Sequence, residues 1–168
     1  LYIINVRDKG LSPGELINDH WFLYALDELY EHSSNKAYAE HAWKIAQGII
    51  EDQNGEDARY ADWAGGYYKN PRTAPAATRT EGLCAAYRIF MVAGMKMEAQ
   101  AALAAAKAGI AFQLQTQFRP ETVLYLDYPA RALGGFHENL TNYTIQIDYN
   151  QHNISAILAL YDILYGNK

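Results

Sequence analysis

Cysteine is almost missing from this chain. Cys84 stands alone, so no internal disulfide can form, and a zinc cluster built on several thiolates is excluded. Basic runs are missing as well. With 14 Lys and Arg against 19 Asp and Glu, the net charge is −5 and the pI about 5.5. Nucleic acid and anionic membrane surfaces both demand a dense basic face, so neither is an expected partner. No stretch reaches the roughly 18 consecutive apolar residues of a membrane span, and residues 1–9 (LYIINVRDK) lack the charged start and long apolar middle of a secretory leader. The expectation is a soluble protein of unknown compartment with no targeting segment in the chain as it stands, either a mature form or an excised piece. Phosphate-cradling G-x-x-x-x-G-K-[ST], dinucleotide-binding G-x-G-x-x-G, zinc-binding H-E-x-x-H and the nucleophile turn G-x-S-x-G are all absent, so no cofactor and no metal are expected. Three glycosylation sequons, at Asn139, Asn142 and Asn153, read as chance.

What is present is apolar, aromatic and periodic. Half of the 168 residues are hydrophobic, enough to bury one sizeable core, so residues 1–168 read as a single all-α domain. Over residues 12–31 the apolar positions Ile17, Trp21, Phe22, Ala25, Leu26 and Leu29 share one face, with Asp27, Glu28 and Glu31 toward the other. Residues 36–53 repeat the pattern through Tyr38, Ala42, Ile45, Ala46 and Ile49, after the short turn HSSN. Together they predict an antiparallel helical hairpin. A second pair, over about 79–93 and 96–117, is richer in alanine and apolar on more than one side, as suits helices with neighbours on both faces.

The two pairs align without a gap. LYALDELYEHSSNKAYAEHAWKIAQGII, from Leu23, lies over LCAAYRIFMVAGMKMEAQAALAAAKAGI, from Leu83, giving a period of about 60 residues. A third copy begins at Ile157 with ILALYDIL, so the chain holds two and a half hairpins. The connectors between hairpins are long, and each carries a Gly-Gly-aromatic triplet: Gly65-Gly66-Tyr67 and Gly134-Gly135-Phe136. Short turns within hairpins and long loops between them gather the long loops at one end of the array, and loops of that length are often functional.

Tandem hairpins with Gly-Gly-Tyr and Gly-Gly-Phe in the long loops resemble the (α/α) toroid proteins. These are the six-hairpin glycosidases, polysaccharide lyases and sugar epimerases, and more distantly the terpenoid cyclases and prenyltransferases. The resemblance implies part of an (α/α) toroid, completed by a further segment or by a homo-oligomer, with the substrate site at the starts of the inner helices. The Asp-rich box of ionising terpenoid cyclases is absent, which favours the carbohydrate branch.

Those starts read SPGELINDHW, TRTEGL and DYNQHNIS. Ser12 with Glu15, Thr78 with Glu81, and Asp148 with Gln151 each fit an N-cap followed three positions later by Glu or Gln. Capping leaves over Asp19, His20, Arg79, Asn150, His152 and Asn153, which would converge on one rim if the hairpins stand in register. Sugar hydrolysis or elimination needs an acid and a base across the reacting bond. Glu81 and Asp148 are the expected pair and His152 a further base. Arg79 would hold a uronate or other anion, with Asp19, His20, Asp127 and His137 as further polar contacts. Trp63, Tyr67, Tyr128, Phe136 and Tyr149 lie in or beside the long loops, where rings with an apolar face and a polar edge suit a small-molecule or oligosaccharide ligand. The expected function is a carbohydrate-active domain acting on a glycan or uronide by hydrolysis, elimination or epimerisation. The alternative is a non-catalytic binding or scaffold domain in which the same residues are caps and ion pairs.

Overall fold

The computed structural model describes residues 1–166, and it is mostly helical. Its long helices are α1 (His20–Ser33), α2 (Lys36–Asp52), α3 (Thr73–Ala93), α4 (Lys96–Gln115) and, after the short α5 (Pro129–Ala132), α6 (Ile147–Tyr165). One antiparallel pair, β1 (His137–Asn139) and β2 (Asn142–Ile145), precedes α6. Among the described residues no helix is long and apolar enough to cross a membrane. The chain divides into two compact units: Leu1–Asp52 with Gly82–Ala105, and Gln53–Glu81 with the chain from Ala106 onward.

In the first unit α1 packs on α2. Ala42, Ile45, Ala46 and Ile49 are buried as the periodicity predicts. On α1 the buried face differs from the expected one. Leu23, Leu26 and Tyr30 are buried, whereas Trp21 is 50% and Leu29 43% exposed, and Ala25 is exposed. The i, i+3, i+7 spacing of the buried set defines a proper helix face, but α1 carries apolar residues on both sides, and periodicity could not choose between them. Residues 12–19 do not belong to the helix. Ser12 and Glu15 do form the expected reciprocal cap, the Ser12 N–H donating to the Glu15 carboxylate at 2.8 Å, but it closes a separate 3₁₀ turn, Pro13–Glu15. That turn lies on α2 at Gly48, where an added Cβ would stand 2.1 Å from the Pro13 carbonyl oxygen.

The N-terminal segment is tied down by charge. Ile3–Arg7 form one wide helical turn, after which the buried Asp8 carboxylate accepts from Arg7 and sits 2.8 Å from His41 Nε2. The Arg7 guanidinium holds Asp8 well below the usual carboxylate range, with His41 adding to the effect; burial pushes the His41 imidazole down, against the pull of Asp8. We expect Asp8→Asn to lower stability at neutral pH by about 2 kcal/mol, the half-exposed Arg7 softening the loss. Because the folded pKa is depressed, this contribution is present above the unfolded value of about 3.9 and is lost as pH falls through the folded one. Urea unfolding of both proteins at neutral and acid pH checks it: the two curves should converge in acid.

The 60-residue offset is visible in the backbone. α1 ends at Ser33 and α3 at Ala93; α2 starts at Lys36 and α4 at Lys96. The equivalent turn residues Ser34 (φ 51°) and Gly94 (φ 75°) are both left-handed.

In the second unit the segments after α2 and α4 return in the same way. Asn54 exchanges backbone hydrogen bonds of 2.9 Å with Gly65 and Gly66, and Phe118 exchanges bonds of 2.8 Å with Gly134 and Gly135. Gln53 then bridges to Tyr67 and Gln117 to Phe136. Both triplets begin on a left-handed glycine, Gly65 and Gly134, each with φ 83°.

α3 begins earlier than expected. Pro75 falls in the first turn, where a helix has no use for the missing N–H, so the helix runs back to Thr73 instead of starting near 79. Thr78 is therefore no cap; its hydroxyl contacts the Pro75 carbonyl at 3.4 Å. Nor does Asp148 cap α6. Extended Gln146 holds that position, and Asp148 lies in the first turn, where its charge complements the helix dipole.

Candidate functional site

The second unit buries more polar chemistry than its secondary structure requires. Thr73, Thr80, Gln113, Thr116 and Asn153 are wholly buried. Thr116 donates to Thr73 at 2.9 Å, Thr73 to Asn153 at 3.0 Å, and Gln113 to Thr80 at 3.0 Å. These bonds tie the first turns of α3 to the end of α4 and to α6. Burial of Asn139 and Asn153 also closes two of the three sequons to a glycan.

Beside this framework stands an acid–imidazole pair. Glu81, on α3, is 3% exposed, and His152, on α6, brings Nδ1 to 3.1 Å from its carboxylate. Burial pushes the Glu81 carboxyl above its ordinary range, opposed by hydrogen bonds from Ser155 and His152. Asp148, His152 and Ser155 are four and three residues apart on α6, so they share one helix face. Asp148 stands one turn, about 5.4 Å, toward the start of α6 from His152. Tyr149 is nearly buried, and burial raises its hydroxyl pKa, helped by the charges of Glu138 and Asp148. Ser155 escaped the sequence reading; its spacing from His152 is the signal that would have found it.

Arg79 is 2% exposed, and its guanidinium lies between two rings, 4.6 Å from the centre of Tyr67 and 5.1 Å from that of Tyr68. It donates to the Tyr68 hydroxyl at 2.7 Å. Such a sandwich exploits the planar, weakly hydrated guanidinium. Tyr67 is fully buried, but Tyr68 is 43% exposed and holds a left-handed backbone with φ 71°. A non-glycine residue in that region costs about 1 kcal/mol or more and persists only where its surroundings demand it. Here Tyr68 covers Arg79.

The remaining candidates are spread out. Asp19 and His20 belong to the first unit, where Asp19 pairs with Arg7. Trp63 packs edge-on against Tyr60, with ring centres 4.9 Å apart. Asp127 is exposed, as is Tyr128, over which Arg131 lies at 5.1 Å. The Phe136 ring is buried inside the unit, and its backbone N–H donates to Asn150 Oδ1 at 2.9 Å. Neither Phe136 nor Tyr67 is thus a surface platform. His137 is buried, bonded at Nδ1 to the Asn139 carbonyl at 2.8 Å, and burial lowers its pKa. It lines an open pocket of about 470 Å³ together with Phe118, Tyr125 and Tyr143. Among the described residues no group of three His, Cys, Asp or Glu side chains is placed to hold a metal ion. The arrangement offers one carboxyl whose pKa burial raises, one imidazole in contact with it, and a second carboxyl a turn away. No family model, curated protein or solved structure matches the chain.

Proposed function

We propose that this chain is the carbohydrate-active part of an α/α hairpin array, acting on a glycan or uronide by hydrolysis, elimination or epimerisation. The observation that carries the reading is the Glu81–His152 pair, a buried carboxyl poised as acid at 3.1 Å from an imidazole on a different helix. Glu81 supplies the proton, Asp148 serves as base and His152 positions or exchanges protons with Glu81. Arg79, released from beneath Tyr68, meets the anionic group of a uronide. The matched turns at Ser34 and Gly94 support the hairpin repeat. A toroid built on it would be completed by further hairpins or by another copy.

A second reading, a non-catalytic scaffold, is favoured by the near-complete burial of Glu81 and Arg79. The two separate in an assay of the purified chain against neutral glycans and uronic-acid polymers, following new reducing ends and unsaturated uronide. Turnover of either class supports the enzyme. Silence across both classes, together with a Glu81→Gln variant clearly less stable than the wild type, supports the scaffold.

A further inference from the structure

The hollow beneath the 116–136 loop is unlike the Glu81 site in its chemistry. Phe118, His137 and Tyr143 form a ring cluster with centres 4.7 to 6.1 Å apart. Phe118 and His137 are buried, while Tyr143 is 60% exposed. Tyr125, 92% exposed, stands on the same pocket, as do the amide of Gln117 and the carboxylate of Glu121. The lining contains no Lys or Arg. At about 470 Å³ the hollow falls within the roughly 300–1,000 Å³ of small-molecule sites.

We propose that this pocket binds a neutral sugar ring of an oligosaccharide, with Tyr125 and Tyr143 stacking on it and Gln117 and Glu121 taking its hydroxyls. Two exposed rings supply the apolar faces that the C–H side of a pyranose covers, and the amide and carboxylate on the same wall suit its polar edge. An anionic sugar is disfavoured because, among the described residues, the wall carries the acidic side chain of Glu121 and neither Lys nor Arg to offset it. Burial lowers the His137 pKa and so favours its neutral form, which makes it a poor source of positive charge. The inference goes beyond the catalytic reading, since it requires neither Glu81 nor turnover.

Calorimetric titration of the full chain with gluco-, manno- and xylo-oligosaccharides, and with an oligogalacturonate, tests it. At least one neutral oligosaccharide is expected to bind, and Tyr143→Ala and Tyr125→Ala are each expected to weaken it tenfold or more. Tyr161→Ala, an exposed ring on α6 outside the pocket, should leave the affinity unchanged. Tyr125 is 92% exposed, so its loss is expected to leave the fold intact, which keeps the test decisive if Tyr143→Ala misfolds. Binding confined to the oligogalacturonate, no binding at all, or an affinity indifferent to Tyr125→Ala overturns the proposal. Binding without turnover would sink only the catalytic reading, and turnover without neutral-sugar binding only this one.

Discussion

Gly65→Ala should lower the unfolding free energy by about 3 kcal/mol or more, whereas Gly134→Ala should cost only about 1 kcal/mol. The two glycines share φ 83° and the same place in their triplets, so the torsional penalty for a side chain is the same at both. Their surroundings differ. A Cβ on Gly65 would stand 2.0 Å from the carbonyl oxygen of Ala108 and 2.5 Å from its carbon, whereas one on Gly134 meets nothing within 4 Å. Backbone on α4 cannot swing aside as a side-chain tip can, so relief requires lifting the 53–72 loop off the helix. Equilibrium urea unfolding of the two variants measures the contrast. Equal losses would mean that the torsion, and not the close approach, decides the cost.

Glu81→Gln is expected to reduce turnover of a glycan or uronide by about 10² to 10⁴-fold, the usual worth of a positioned general acid. Its effect on stability should be small, with a sign set by the direction of the Glu81 pKa shift. Burial raises the folded pKa of Glu81, so the stability it contributes is full below the unfolded value of about 4.3 and is lost as pH rises through the folded value. Glutamine carries no such dependence. The wild type should therefore lose stability relative to Glu81→Gln as pH rises across that interval, the opposite of the Asp8 trend. Asp148→Asn should reduce turnover with little change in melting temperature, since Asp148 is no cap. A Glu81→Gln protein with full activity would remove the acid role outright.

The helical character and the turn positions were legible because they are written in spacing: an alignment of Leu23 on Leu83 places Ser34 over Gly94, and both turn left-handed. Other features depend on tertiary context. The buried face of α1 is chosen by what it packs against, so Trp21 and Leu29 finish at the surface although their spacing is helical. The early start of α3 was hidden by Pro75, which reads as a breaker but is harmless in a first turn. In the site, Glu81 and His152, each legible as a candidate from its own stretch of sequence, meet at 3.1 Å, although Glu81 lies well inside α3 and not at its start. Asp19 was grouped with them, yet its partner is Arg7, in a segment whose sequence announced no role. Tyr67 and Phe136 lay in polar loops, which suggested surface rings; the glycines before them turn both side chains inward.

The paired glycine triplets have a consequence for how such a chain can vary. Each triplet fastens the end of its excursion to the residues just after a helix, so the closure does not depend on the length of what lies between its two sides. The spans concerned, residues 55–64 in one and 119–133 in the other, already differ in length while their closures are alike. Lengthening such a span costs little, roughly 0.6 kcal/mol for each doubling. Residues can therefore be added to the exposed parts of either excursion at little cost, while Val123 and Ala132, which pack with Phe118 in the longer one, have to keep their place.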